Sequence, residues 1–547
     1  MVTMHIGRYR EIAETLARHG LGYMLEATGL GRPSPDTPAA APRQPQPVAA
    51  RHLREALEEL GPTFVKFGQL LSTRPDLLPE PYIVELVKLQ DSAPSVTIAV
   101  VEETIRNELG QDPSECFAWF DSAPLASASI GQAHAARRPD GTEVVVKVRR
   151  PDAVAQVHED LDILRTLAER ATRTWDFARR LDLNGVIREF SQTLLAELDY
   201  LHEARNAERF AANFAHRPDA IVPRIFWDTT TARVLTLERL RGLKITDVDA
   251  LDSAGIDRVR LAQTGSRIML QMIFEDRFFH ADPHPGNLLV QPDGSIGLID
   301  FGMVGELREE LADALTDFLV AFTLRSAEGL VDAVLDLSVV RAAVDHDELR
   351  AAMTSFIADY EGHSLRELGF ARLVSRMLGI LREQGLRLPR EVPLVLKVLI
   401  TVEGIGLQLD PEFDIFGVLT PYVQRILHRR LTMTSISRRL IQAASDGGEL
   451  LLELPVRLRR ILDAADRTGF DVHLRAAELE PLMRRTERVG NRLVAGIIAA
   501  ALIMGIGEVV PTEERWRSSK RGLLGAGAAV IGSLAGYLIL TARRRGR

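Results

Sequence analysis

The chain has a single cysteine, Cys116. That excludes an intramolecular disulfide framework and a cysteine-built zinc site. Lysine is almost as scarce. Six lysines, at 66, 88, 147, 244, 397 and 520, stand against 61 arginines. A chain that writes nearly every positive charge as arginine keeps lysine where a compact ammonium is needed. Two of the six, Lys66 and Lys147, fall inside motifs described below. There is no excess of positive charge: the net charge is −8. A general nucleic-acid binder needs a basic stripe to neutralise phosphate, so that class is excluded. An N-terminal secretion signal is also lacking. Residues 1–31 hold only short apolar stretches, broken by Arg8, Arg10, Glu11, Glu14 and Arg18. They predict an amphipathic helix whose Ile12, Leu16, Tyr23 and Leu25 dock on the protein rather than on a membrane.

What is present is enough for a large folded body. The chain has 547 residues, 46% of them apolar and 26% charged. That implies two or three domains. Residues 32–50 carry six prolines and predict an extended linker without helix. A helical segment is expected over 51–115. Strands are expected in Glu143 to Val148, after the turn Pro139-Asp140-Gly141, and in Ala232 to Leu237. Between them, Pro151 to Phe214 reads as helix. From Gly242 to about Glu480 the periodicity is mainly helical, with short strands at Leu288 to Val290 and Ile296 to Ile299. No internal repeat is evident. The segment boundaries expected are therefore 1–31, 32–50, 51–115, 116–240, 241–480 and 481–547.

The last segment has another character. Leu493 to Gly507 is uncharged, and so are the 20 residues from Gly522 to Thr541. Together they predict a transmembrane hairpin. Arginines at 484, 485, 488, 492, 543, 544, 545 and 547 flank it, against four basic residues in the connecting loop. That asymmetry predicts a cell (inner) membrane protein with both ends, and the bulk of the chain, in the cytoplasm. Gly532 and Gly536 allow close helix approach, within the hairpin or across a homodimer.

The densest chemistry lies in HADPHPGNLLVQPDGSIGLIDFG, His280 to Gly302. Asp282 and Asn287 are five residues apart, and Asn287 and Asp300 thirteen. These are the separations of a kinase catalytic loop and its Asp-Phe-Gly element. In that chemistry Asp282 orients or deprotonates the attacking oxygen, while Asn287 and Asp300 hold Mg²⁺ against phosphate. Lys147, in the strand-like run, is placed to pair with phosphate and with a helix carboxylate. Glu197, Asp199 and Glu203 in the next helical stretch are the candidates. Where a kinase carries a glycine-rich loop, Leu125 to Ala136 keeps only Gly131. Alanine resists the backbone freedom of glycine, so this loop must grip phosphate differently. Residue 281 is Ala rather than Arg, and no Ala-Pro-Glu follows Gly302. Gly61-Pro62 starts a further helix, with Lys66, Gly68 and Gln69 inside an apolar run. A helix-borne lysine in such a setting needs a carboxylate, Glu197 or Asp199.

Together these residues resemble the UbiB/ADCK family of atypical, protein-kinase-like proteins associated with ubiquinone biosynthesis. Lys66-Phe67-Gly68-Gln69 resembles its KxGQ signature, and Ala126 to Ser129 its alanine-rich loop. Glu197-Leu198-Asp199 resembles its ExD signature, Glu203 its αC glutamate, and His280 to Asn287 with Asp300 to Gly302 its catalytic and metal motifs. The resemblance implies an α+β, two-lobed protein-kinase-like fold with a helical KxGQ extension over the cleft, a largely helical C-lobe and a membrane segment. It implies ATP or ADP with Mg²⁺, and ATPase or phosphotransferase activity coupled to a membrane lipid or isoprenoid-quinone precursor, with quinone-biosynthesis proteins as candidate partners. The catalytic residues expected are Asp282, Lys147 and Lys66, and the metal ligands Asn287 and Asp300. The nucleotide set expected is Ala126, Ser127, Ala128, Ser129, Ile130, Lys147, Glu203, Glu238 and Leu240. A small-molecule kinase of the aminoglycoside or choline type, a conventional protein kinase and an inactive membrane scaffold are the other readings. The KxGQ run and uncharged hairpin count against the first. The absent Ala-Pro-Glu counts against the second, and intact Lys147, Asp282, Asn287 and Asp300 count against the third.

Overall fold

The computed structural model describes residues 6–22, 46–74, 77–89, 95–175, 178–179, 182–339, 344–359 and 369–422. All belong to one compact unit, 1–435. The uncharged runs of the expected hairpin, the Gly532/Gly536 pair and residues 423–480 lie outside the described residues.

The N-terminal part is helical: α1 (Ile6–Arg18), α2 (Gln46–Leu60), α3 (Pro62–Ser72), α4 (Glu80–Leu86) and α5 (Ile98–Leu109). Helix α1 docks on the protein through Ile12 and Leu16, while Tyr23 and Leu25 lie outside the described residues. Its Ile12 is buried with Leu57 and Leu60 of α2. Arg8 pairs with the fully buried Asp160 at 2.8 Å and donates to the Leu60 carbonyl at 2.6 Å, which fixes the helix in place. The linker expectation needs correction at its end, because α2 already begins at Gln46. Pro47 is no obstacle there, since the first helical turn has no backbone donor to lose. Gly61, at φ 95°, makes the sharp break between α2 and α3.

Strands β1 (Trp119–Ser127), β2 (Gly131–Arg137), β3 (Glu143–Arg149) and, later in the chain, β5 (Val234–Glu238) form an antiparallel sheet in the order β1-β2-β3-β5. Sequence reading found β3 and β5 but missed β1 and β2. Their Ala, Ser and Gln have weak strand propensity, and pairing with β3 decides the conformation. Helix α5 covers the far face, with Val101 and Ile105 on Val144, Val146 and Val148.

Two long helices, α6 (Ala153–Thr174) and α7 (Leu183–Glu197), follow β3. They do not pack on the sheet. Their Leu161, Ile163, Phe190 and Leu194 share a core with α2 and α3. The extension and this insertion are therefore one helical body beside the sheet. Next comes α8 (Tyr200–Asn213), whose Ala204, Ala207 and Phe210 join the large second core instead.

That second core belongs to the C-lobe. Short strands β4 (Ala220–Ile221), β6 (Leu243–Lys244), β8 (Leu288–Val290) and β9 (Ile296–Leu298) make a small sheet in the order β4-β9-β8-β6. Between β6 and β8 lie α9 (Val248–Ser253), α10 (Arg258–Phe274) and β7 (Phe278–His280), which pairs with β10 (Val304–Glu306). Helices α11 (Glu309–Thr323), α12 (Ala327–Leu337), α13 (His346–Ala358), α14 (Phe370–Glu383) and α15 (Glu391–Leu409) complete the lobe. Among the described residues, α15 alone is long and apolar enough to cross a bilayer. It is a core helix, with Val395, Val398, Leu399 and Val402 buried. Its Glu403 is also buried and accepts the free Phe370 and Ala371 amides at 2.6 and 3.1 Å, capping α14.

Candidate functional site

A cavity of about 240 Å³ lies between the sheet, the helical extension and the loops of the C-lobe. Each wall is set by a local feature of the chain. From β3, Lys147 reaches Glu203 of α8 at 2.5 Å and stands 3.9 Å from Asp300. Burial disfavours the Lys147 ammonium, but the charges of Asp300 and Glu203 outweigh it and hold the pKa above the usual lysine range. The Asp300 carboxyl would be pushed up by burial. The Lys147 charge and the Gly302 amide, 2.9 Å from Oδ1, bring it down instead, to about 2. Its side chain keeps 44% of its surface exposed, so the ion pair rather than burial governs it.

Helix α8 also fixes the Asp-Phe-Gly backbone. Asn206 donates to the Phe301 carbonyl at 2.9 Å, and Glu203 accepts the Phe301 amide at 3.4 Å. The catalytic loop is held from within. His280 Nδ1 accepts the Asp282 amide at 3.1 Å, and Asn287 donates to the Asp282 carbonyl at 3.3 Å. His280 is buried, which pushes its pKa down and keeps the ring neutral for that acceptor role.

The ExD residues occupy a helix junction. Glu197 is the last residue of α7, and Asp199 caps α8 by accepting the Leu201 amide at 3.0 Å. The junction of these two helices thus places Glu197 and Asp199 at the same cavity. Arg149, two residues beyond Lys147, donates to the Leu198 carbonyl between them. One strand therefore sets both the lysine and the junction. Lys66 of α3 pairs with Glu197 at 3.1 Å and lines the same cavity, as its apolar setting required.

The other expected residues divide. Ala126, Ala128, Ile130, Asp282 and Asn287 line the cavity, together with Gly131 and Tyr200. The alanine-rich element is partly strand, since Ala126 and Ser127 end β1. Arg150 ties its turn down, donating to the Ala128 carbonyl and the Ser127 hydroxyl at 3.2 and 3.1 Å. Ser127 and Ser129 do not line the cavity, nor do Glu238 and Leu240. The Glu238 carboxylate accepts the Arg224 amide instead, and Leu240 lies on Gly297.

Gly68 and Gln69 also face away from it. A Cβ on Gly68 would collide with Leu89 and Leu57, so this glycine exists for helix packing. Gln69 donates to the Leu89 carbonyl at 3.2 Å, and Phe67 stacks on Phe190 of α7 with ring centroids 5.1 Å apart. The KxGQ run thus combines one cavity-lining lysine with a packing clamp. Gly68→Ala should destabilise the fold by about 1–3 kcal/mol through overpacking. Nucleotide affinity in the folded fraction should stay within about twofold, because Leu57 and Leu89 take up the shift while Lys66 keeps its pair with Glu197. Chemical unfolding with parallel nucleotide titration measures both, and lost affinity at unchanged stability would contradict the assignment.

A residue that sequence reasoning missed completes the site. Lys397 of α15 lies 2.8 Å from Asp282 Oδ1. The signal available was the rarity of lysine itself. With Lys66 and Lys147 it brings half of the chain's six lysines to one site.

A lysine–glutamate pair from sheet to helix, a loop acid and asparagine, and an Asp-Phe-Gly acid define a protein-kinase-like phosphate site. Known proteins place the chain further. The ABC1 atypical kinase-like domain matches residues 88–334, the UbiB helical domain 353–414, and the ABC1/UbiB kinase-like C-terminal domain 477–544. A probable protein kinase UbiB of Azotobacter vinelandii is 37% identical over 490 residues, 88% of this chain and 87% of its own length. An uncharacterized protein of Synechocystis is 35% identical over 497 residues, 86% of this chain and 84% of its own. The solved complex of Rv3197 with erythromycin, from Mycobacterium tuberculosis, aligns with a TM-score of 0.46 at 24% identity. That alignment covers 66% of this chain and 92% of that one. The chain belongs to the UbiB/ABC1 family of atypical kinase-like proteins.

Proposed function

We propose that this chain is a membrane-tethered, Mg²⁺-dependent ATPase or phosphotransferase that supports isoprenoid-quinone or related lipid metabolism. One observation carries the reading: Lys147 stands between Glu203 and Asp300 in a cavity that Asp282 and Asn287 share. Asp300 is ionised and partly open, and Asn287 adds an amide oxygen. An oxygen-only donor set of this kind suits a hard divalent cation. Asp300 and Asn287 would hold the ion, which would neutralise charge on the phosphates of bound nucleotide.

The chain's own residues do the rest. Lys147 supplies a fixed positive charge at the phosphates, and Glu203 keeps its side chain extended into the cavity. Asp282 receives the proton of the attacking hydroxyl or water. Lys66 and Glu197 line the same cavity, whose volume of about 240 Å³ suits phosphates and a small acceptor rather than a peptide segment. The membrane part of the reading rests on the uncharged runs 493–507 and 522–541 with their arginine flanks. The quinone part rests on the family resemblance and the UbiB relative.

Thermal-shift titration tests the nucleotide site. ATP or ADP with Mg²⁺ at about 100 times the dissociation constant should stabilise the fold by about 2.7 kcal/mol. Chelating the Mg²⁺ should remove most of that gain, and an equal shift without the metal would refute the assignment of Asn287 and Asp300. Comparing quinones and their isoprenoid precursors in a deletion strain tests the metabolic part, and unchanged pools would refute it.

A further inference from the structure

Helix α15 lies beyond the matched kinase-like domain, inside the UbiB helical segment, and 115 residues separate Lys397 from Asp282. Apart from Glu403, which is already committed to the α14 cap, the helix is strongly apolar between its ends. An ammonium there is costly unless it finds an anion. It finds Asp282, the carboxylate assigned to take the acceptor's proton. The catalytic loop has no cation of its own to meet that charge: Ala281 precedes Asp282, and Pro283, His284, Pro285 and Gly286 follow. His284 is turned to its own loop, its Nδ1 accepting the Gly286 amide at 3.1 Å.

Building on the phosphate-site reading above, we propose that Lys397 is a positioning residue for the catalytic aspartate, so that the helical segment is part of the active site and not only a support for the lobe. Asp282 is then fixed at three points. Its amide is held by His280, its carbonyl by Asn287, and its carboxylate Oδ1 by Lys397. The second carboxylate oxygen is left for the acceptor. As the acceptor oxygen bonds to the terminal phosphorus of ATP, its proton passes to Asp282. The bond from that phosphorus to the bridging oxygen breaks, and its electron pair leaves with ADP. An aspartate free to rotate would meet that oxygen only part of the time, and loss of orientation is expensive in such reactions. Helix α15 is well placed to impose the orientation. It packs on α10, which leads through β7 directly into the catalytic loop, and its own apolar face is buried in the lobe.

The test uses the full chain in detergent or vesicles, with ATP hydrolysis and nucleotide-induced thermal shift read together. Lys397→Met should lower kcat about 10–100-fold while KM for ATP stays within about threefold and the shift with ATP and Mg²⁺ persists. Lys397→Arg keeps the charge and should recover most of the rate, which also shows that the site tolerates substitution. In an Asp282→Asn background, Lys397→Met should cost nothing further, because both act through one carboxylate. A kcat within threefold of wild type, or a full loss that adds to that of Asp282→Asn, would overturn the inference while leaving the nucleotide site intact. A wild-type chain that binds nucleotide without turning it over would overturn the catalytic role of both residues. One that neither binds nor hydrolyses would overturn the proposed function itself.

Discussion

Asp300→Asn is expected to lower nucleotide turnover by about 10³-fold and to erase the Mg²⁺ dependence of nucleotide binding. The substitution preserves shape and removes one charge. That charge is the strongest candidate for holding a cation, since the carboxyl is ionised down to about pH 2 and part of it opens to the cavity. Losing one preorganised electrostatic group at a transferring phosphoryl typically costs 10²–10³ in rate. The upper end is expected here because the same group also helps to hold Lys147. The variant has a second signature, in stability against pH. An unfolded aspartate titrates near ~3.9, and this one is depressed in the fold. Its contribution to stability is therefore complete above that unfolded value and is lost as pH falls toward 2. Wild type should lose stability relative to Asp300→Asn between about pH 4 and pH 2, and the two curves should run parallel above pH 5. Denaturant titrations across that range, with steady-state rates at neutral pH, decide the matter. Parallel curves throughout, or an unchanged rate, would remove Asp300 from its assigned role.

Glu203→Ala should be the most destabilising single change in the cleft. Glu203 is 9% exposed and its partner Lys147 18%. Removing the carboxylate strands a buried ammonium, which typically costs 3–5 kcal/mol. Asp300 remains at 3.9 Å and offsets part of that charge, so about 3 kcal/mol is expected. The Phe301 amide also loses its acceptor, which loosens the Asp-Phe-Gly backbone. Nucleotide binding should weaken with stability, whereas Lys147→Met in the same background should restore part of the stability by removing the orphaned charge. Urea unfolding of the single and double variants tests this. A loss below about 1 kcal/mol for Glu203→Ala would show that the pair is not buried in solution.

The catalytic spacing was legible because it is local. Asp282, Asn287 and Asp300 sit on one loop, hairpin and turn, and the local pairing of β8 with β9 keeps them together. Lys147 was legible because a β-branched run marks its strand, whereas helical spacing left Glu197, Asp199 and Glu203 open and only the family resemblance singled out Glu203. That Lys66 would meet Glu197 or Asp199 followed from the cost of an unpaired ammonium in an apolar helix, and the fold chose Glu197.

Other features depend on contacts between distant segments. β1 and β2 exist because β3 pairs with them, against the weak preference of their own alanines and serines. Gly68 and Gln69 looked like site residues, yet they clamp α3 to the chain around Leu89. Arg149 and Asn206 carry no motif, and only the fold brings them to Leu198 and Phe301. The sequence by itself determined the kinase-like spacing of Asp282, Asn287 and Asp300 and marked two of the lysines that line the cavity. Only the tertiary structure decided that α15, the most apolar described helix, delivers a third lysine to Asp282. Spacing along a chain encodes proximity within a turn or a hairpin. Proximity across 115 residues is set by which apolar faces bury each other, and that is settled only when the whole lobe packs.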